Sequence, residues 1–64
     1  MTYGERIKEI LSKGPLSQDD LVAQLVSRGV PLVYTSTILI GMAYRGEVVV
    51  KDGIVSLPEQ SKGN

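Results

Sequence analysis

Apolar positions recur along this chain with a helical period three times and then, near the carboxyl end, switch to the period of a strand. Tyr3, Ile7, Ile10 and Leu11 stand three and four apart and share one side of a helix. Thr2-Tyr3-Gly4-Glu5 fits a capping box, in which the Thr2 hydroxyl accepts from the Glu5 amide and the Glu5 carboxylate accepts from the Thr2 amide. Gly14-Pro15 ends the segment, so a first helix is predicted over about 2–13, with Glu9 and Lys13 one turn apart on its wet side. Ser17-Gln18-Asp19-Asp20 repeats the signal, with Ser17 as N-cap and two carboxylates opposing the positive end of the helix dipole. Leu21 and Leu25, flanked by Val22 and Val26, supply the apolar stripe of a second helix over about 17–28, and Arg28-Gly29 closes it.

Leu16, alone between Pro15 and the second cap, fits a strand stub of one or two residues added to a hairpin edge. Val30-Pro31-Leu32-Val33 reads as a short packed turn. A third helix is expected over about 34–45, carried by the spacing of Thr35, Ile38, Leu39 and Met42. Its many β-branched residues (Val33, Thr35, Thr37, Ile38, Ile40) would by propensity favour a strand, which is the main local conflict. Gly46 then permits a change of direction. Asp52-Gly53 between runs rich in Val and Ile signals a type I′ turn, which predicts a hairpin of strands at about 48–51 and 54–57. Around that turn Lys51 opposes Ile54, Val50 opposes Val55 and Val49 opposes Ser56, which puts Val48, Val50, Val55 and Leu57 on one face and Lys51 and Ser56 on the other. Pro58 closes the strand; residues 59–64 are polar and expected to form a flexible tail behind a single domain of residues 1–58.

Helix, stub, helix, helix, hairpin is an α+β order, and it resembles the winged helix-turn-helix superfamily of DNA-binding domains across about residues 2–58. The matching features are the Ser17-capped second helix, Leu39-x-x-Met42-x-x-x-Gly46-x-Val48 at the end of the third, and the hairpin at Asp52-Gly53. The resemblance implies a second and third helix forming a DNA-reading pair, with the third presented to the major groove and the hairpin as the wing. It implies a fold more directly than an activity.

Composition narrows the chemistry. Sixty-four residues make one small domain whose core, lacking Phe and Trp, must be aliphatic with help from three Tyr and two Met. With neither Cys nor His, disulfides, thiolate metal sites and imidazole chemistry are excluded, and with no glycine-rich phosphate loop an enzyme is not expected. No cofactor, metal or small-molecule substrate is expected. The apolar runs are too short to span a membrane and the first residues are not those of a signal peptide, so a cytoplasmic protein is expected. Seven basic and seven acidic residues leave a net charge of zero, so attraction to nucleic acid must come from a local patch.

On the third helix Thr37, Ile40, Gly41 and Tyr44 point away from the predicted core, flanked by Ser36 and Tyr34. No Arg, Lys, Asn or Gln, the usual readers of base edges, occurs from Val33 through Tyr44. Duplex DNA would therefore be held through phosphates. The candidates are Lys51 at the wing tip, Arg45 and Arg28 at helix ends, Ser17 at the start of the second helix, the hydroxyls of Tyr34, Ser36 and Thr37, and Gly41 for close approach. On this reading the chain is a transcriptional regulator or accessory factor, acting as a dimer. Each cation also has a plainer role at a helix end or turn. The competing expectation is a protein-interaction or dimerisation module whose surface is Ile40 and Tyr44, one turn apart, joined by Val33.

Overall fold

A computed structural model of the chain describes residues 2–61. The elements are α1 (Tyr3–Leu11), β1 (Leu16–Ser17), α2 (Gln18–Ser27), α3 (Leu32–Tyr44), β2 (Val49–Lys51), β3 (Ile54–Ser56) and a closing turn of helix, α4 (Pro58–Ser61). The fold is α+β, with a three-stranded antiparallel sheet in the order β1-β3-β2.

The local signals act as their chemistry dictates. The Thr2 hydroxyl accepts from the Glu5 amide at 3.2 Å, and Glu5 Oε1 accepts from the Thr2 amide at 3.0 Å. At α2 the Ser17 hydroxyl accepts from the Asp20 amide at 3.2 Å. The α3 helix begins at Leu32, two residues before the expected start, because Pro31 takes an extended N-cap conformation that releases the chain straight into the helix. Its β-branched interior is tolerated partly because buried Thr35 turns its hydroxyl back onto the Leu32 carbonyl at 2.7 Å, so that hydroxyl is not left unpaired in the core. At the far end the Glu47 amide donates to the Met42 carbonyl at 2.8 Å and the Gly46 amide to Ala43 at 3.1 Å. This is a Schellman closure, which needs the left-handed φ of +77° at Gly46 and turns the chain toward the hairpin.

The hairpin register is the expected one: Val49 faces Ser56, Val50 faces Val55 and Lys51 faces Ile54. Asp52 (φ 53°) and Gly53 (φ 77°) take the two left-handed positions of a type I′ turn. The strands are shorter than expected, since Val48 and Leu57 lie just outside the ladder. The stub at Leu16 pairs with Val55, making β3 the central strand. One further bond runs from the Gln18 amide to the Gly53 carbonyl at 2.8 Å. It satisfies a free amide of α2 and holds the hairpin tip against the start of that helix.

Inside lie Ile7, Ile10, Leu11, Leu21, Leu25, Val30, Leu39, Met42, Val48 and Val55, with Leu16, Val22, Ile38 and Leu57 packed around them. Three residues expected in the core stripes stand largely exposed at its rim: Tyr3, Val26 and Val50. Ser56, on the sheet face opposite Val55, is itself buried in the central strand.

The flexible tail expected from residue 59 is corrected for its first residues, while residues 62–64 lie outside the described part of the chain. The Gln60 carboxamide clamps two elements: Oε1 accepts from the Leu57 amide at 2.9 Å and Nε2 donates to the Leu11 carbonyl at 2.6 Å. That carbonyl ends α1 and also accepts from the Gly14 amide at 2.9 Å, so Gln60 is its second donor. Replacing Gln60 by Ala removes both bonds from partly buried groups, at about 1–3 kcal/mol. Chemical denaturation of Gln60→Ala is expected to show a lower midpoint than wild type with an unchanged slope; equal midpoints would mean that the α4 turn does not secure α1.

Candidate functional site

Packing the inner stripe of α3 fixes what its outer stripe presents. Thr35, Leu39 and Met42 are buried, so Val33, Thr37, Ile40 and Tyr44 come to the centre of the opposite side. Val33 is 72 % exposed, Ile40 70 % and Tyr44 92 %. At that exposure, no described residue of α1, β1 or the tail covers Ile40. Ser36 and Ala43 flank this stripe on one side, and Tyr34 (51 % exposed) and half-buried Gly41 on the other.

Beside the stripe runs an open groove of ≈ 580 Å³, with Leu39 at its floor and Gln18, Ser36, Ile40, Ala43, Tyr44 and Val50 around it. The groove lies between α3 and Val50 of β2, in a hairpin whose tip is tied to the start of α2 by the bond from the Gln18 amide to the Gly53 carbonyl. Val50 shares its sheet face with Val55 but is 44 % exposed, because β2 is an edge strand and its outer half overhangs this groove. Every residue named here is uncharged. Indeed the whole segment from Gly29 to Tyr44 contains no acidic or basic side chain.

The cations expected to meet phosphates are scattered or engaged. Arg45 Nε is bonded to Glu47 Oε2 at 2.6 Å, and Lys8 Nζ approaches Glu47 Oε1 at 3.1 Å. The hydrogen bond from Arg45, then that from Lys8, lowers the pKa of the Glu47 carboxyl from its ordinary value. Arg45 also folds back across α3: a Cβ added at Gly41 would meet its Nη1 at 3.3 Å. The bare backbone at Gly41 is thus covered by a neighbouring guanidinium and is not open for close approach. Arg28 caps the end of α2 and lines a separate recess of ≈ 160 Å³ with Lys13 and Leu16. Ser17 has its hydroxyl committed to the cap, with Asp19 and Asp20 in the same turn, an arrangement that repels a phosphate. Lys51 is exposed at the end of β2. Of the expected phosphate-contacting groups, Tyr34, Ser36 and Thr37 therefore share the α3 face, whereas Arg28, Arg45, Ser17 and Lys51 do not converge on it as a basic patch.

Helical periodicity in the sequence locates the stripe at Val33, Ile40 and Tyr44 but not its groove. Gln18 joins the site through the placement of α2 and Val50 through that of the hairpin, which no local pattern encodes. Glu47 is a further site residue outside the sequence expectations, although its position two residues beyond Arg45 in a Gly-containing turn is a signal for a local ion pair. Among the described residues, no three acidic side chains gather as a metal site, and no helix is long and apolar enough to cross a membrane. Comparison with family models, curated proteins and solved structures finds no match for the chain.

The Glu47 pairing has a definite sign with pH. A carboxyl whose folded pKa is depressed stabilises the fold above its unfolded pKa, and that contribution is lost as pH falls through the folded value. Wild type is therefore expected to melt above Glu47→Gln at neutral pH, and the gap is expected to close as the pH falls through the depressed folded value. A gap that persists in acid would show that the ion pairs are not its source.

Proposed function

We propose that this chain is a small protein-interaction module with a winged helix-turn-helix arrangement, docking apolar protein surface through the outward face of α3. The observation that carries this reading is the uncharged stripe of Val33, Ile40 and Tyr44, exposed beside the groove at Val50. The helix-turn-helix pair α2 and α3, followed by a hairpin that pairs with a stub before α2, supports the winged arrangement.

Magnitudes favour protein over base edges as the ligand of this face. A bidentate contact to a base is worth about 1–3 kcal/mol, but it needs an Arg, Lys, Asn or Gln that α3 does not carry. Burying one exposed aliphatic or aromatic side chain contributes about 1.5–3 kcal/mol, and α3 offers several on one side. Such a cluster, with Thr37 within it and Ser36 at its rim, has the make-up of an interface centre.

A second reading keeps duplex DNA as partner, with the chain acting as a regulator or accessory factor through phosphates. It is favoured by the start of α3, where no acidic residue and no side-chain cap oppose an anion and where Tyr34, Ser36 and Thr37 are available. Lys51 on the hairpin would add a backbone contact. The two readings use the same face and so compete.

A photo-reactive amino acid placed at Tyr44 discriminates between them. On the interaction reading it forms protein adducts on irradiation in cells, and Ile40→Ser removes them. Absence of adducts, together with salt-sensitive duplex binding that shifts the amides of Ser36, Thr37 and Lys51, would overturn that reading in favour of DNA. In the DNA case Glu47→Gln, by releasing Arg45 and Lys8, is expected to raise duplex affinity and to steepen its decline with salt by roughly one counterion for each new phosphate contact. The interaction reading expects no such rise.

A further inference from the structure

Val33, Thr37, Ile40 and Tyr44 follow one another at spacings of four, three and four residues. That alternation keeps one seam of a helix turned toward another helix. The seam is also symmetric about a single point between Ile38 and Leu39: Val33 and Tyr44 lie equally far from it, and so do Thr37 and Ile40.

We infer that the partner of this face is a second copy of the chain, the two α3 helices packing antiparallel across a two-fold axis through that point. The inference rests on the interaction reading above and names its occupant. In such a pair Tyr44 of each copy meets Val33 of the other, and Ile40 meets Thr37. On the flanks the two-fold sets like sides together, so Tyr34 meets Gly41 with the Arg45 guanidinium beside it, and Ser36 meets Ala43. On the seam each pairing sets a larger side chain against a smaller one and occurs twice, as in any isologous interface. Ser36 and Ala43 of the second copy arrive over the groove floored by Leu39 and edged by Val50.

Charge selects the same partner. Across a two-fold axis a patch meets itself, so a face of one sign would be repelled by its own copy. The segment from Gly29 to Tyr44 has no charge to repel, and equally none with which to attract a charged partner. Size sets the strength. Tyr44, Tyr34, Val33 and Ile40, at their exposures, offer on the order of 400 Å² per copy. That is about half of the roughly 800 Å² per partner in a standard interface, so the dimer is weak and reversible. Because it covers α3, the dimer and α3-bound duplex DNA exclude one another.

Sedimentation equilibrium on the full chain up to about 1 mM is expected to show a monomer–dimer equilibrium. Ile40→Glu, at a position 70 % exposed and outside the core, is expected to weaken it roughly tenfold or more with an unchanged far-ultraviolet spectrum. Val33→Glu and Tyr44→Lys are each expected to be monomeric alone and to form a heterodimer when mixed, since the two-fold pairing brings the new charges together. Mixed variants that stay monomeric, or a dimer indifferent to Ile40→Glu, would overturn the pairing. A wild type that is monomeric throughout, while the Tyr44 photo-probe captures other proteins, would overturn the second copy and leave the interaction reading standing. Failure of both measurements would remove that reading as well.

Discussion

Burial of a core without Phe or Trp is the constraint on which everything else in this protein depends. Ten aliphatic and methionine side chains fill it, drawn from α1, α2, α3, the turn at Val30 and the hairpin segment. In so short a chain most large aliphatics must go inside for folding to outweigh chain entropy. Against that demand, the exposure of Val33, Ile40 and Tyr44 is informative. Apolar surface left outside by a chain with so little to spare is surface available to something else.

The same constraint sets the geometry of the candidate site. Turning Thr35, Leu39 and Met42 inward fixes the rotation of α3 about its axis, and the Schellman closure at Gly46 fixes where the chain leaves it. The amide of Gln18 then pins the hairpin tip to the start of α2. The groove beside Val50 is a by-product of these three placements. The ion pairs of Glu47 act in another direction: they tie two exposed cations, Arg45 and Lys8, to a carboxylate beside the apolar stripe of α3.

What is legible in the sequence divides along physical lines. Interactions closed within a few residues are legible: the capping box of Thr2 and Glu5, the Ser17 cap, the turn at Asp52-Gly53 and the register it imposes. So is the outward stripe of α3, because helical periodicity alone sorts Ile40 and Tyr44 from Leu39 and Met42. Interactions closed by tertiary placement are not. The bond from Gln60 to Leu11 spans 49 residues, and nothing in a polar carboxyl-terminal segment announces a second donor for a carbonyl that already accepts from the Gly14 amide. Val50 shares its sheet face with buried Val55, and only its place on an edge strand explains why it overhangs the groove. The early start of α3 has a local cause that the apolar run 30–33 conceals: Pro31 is the helix cap and not the middle of a separate turn.

If the uncharged outward face of α3 is the protein's binding surface, amide chemical shifts followed on dilution from about 1 mM show it most directly, since weak self-association is visible there residue by residue. Concentration-dependent shifts are then expected at Val33, Ser36, Thr37, Ile40, Ala43, Tyr44 and Val50, with Ile7, Leu21 and Leu25 unmoved. Shifts that do not change with concentration, or that gather around Arg28 and Lys13 instead, would contradict it.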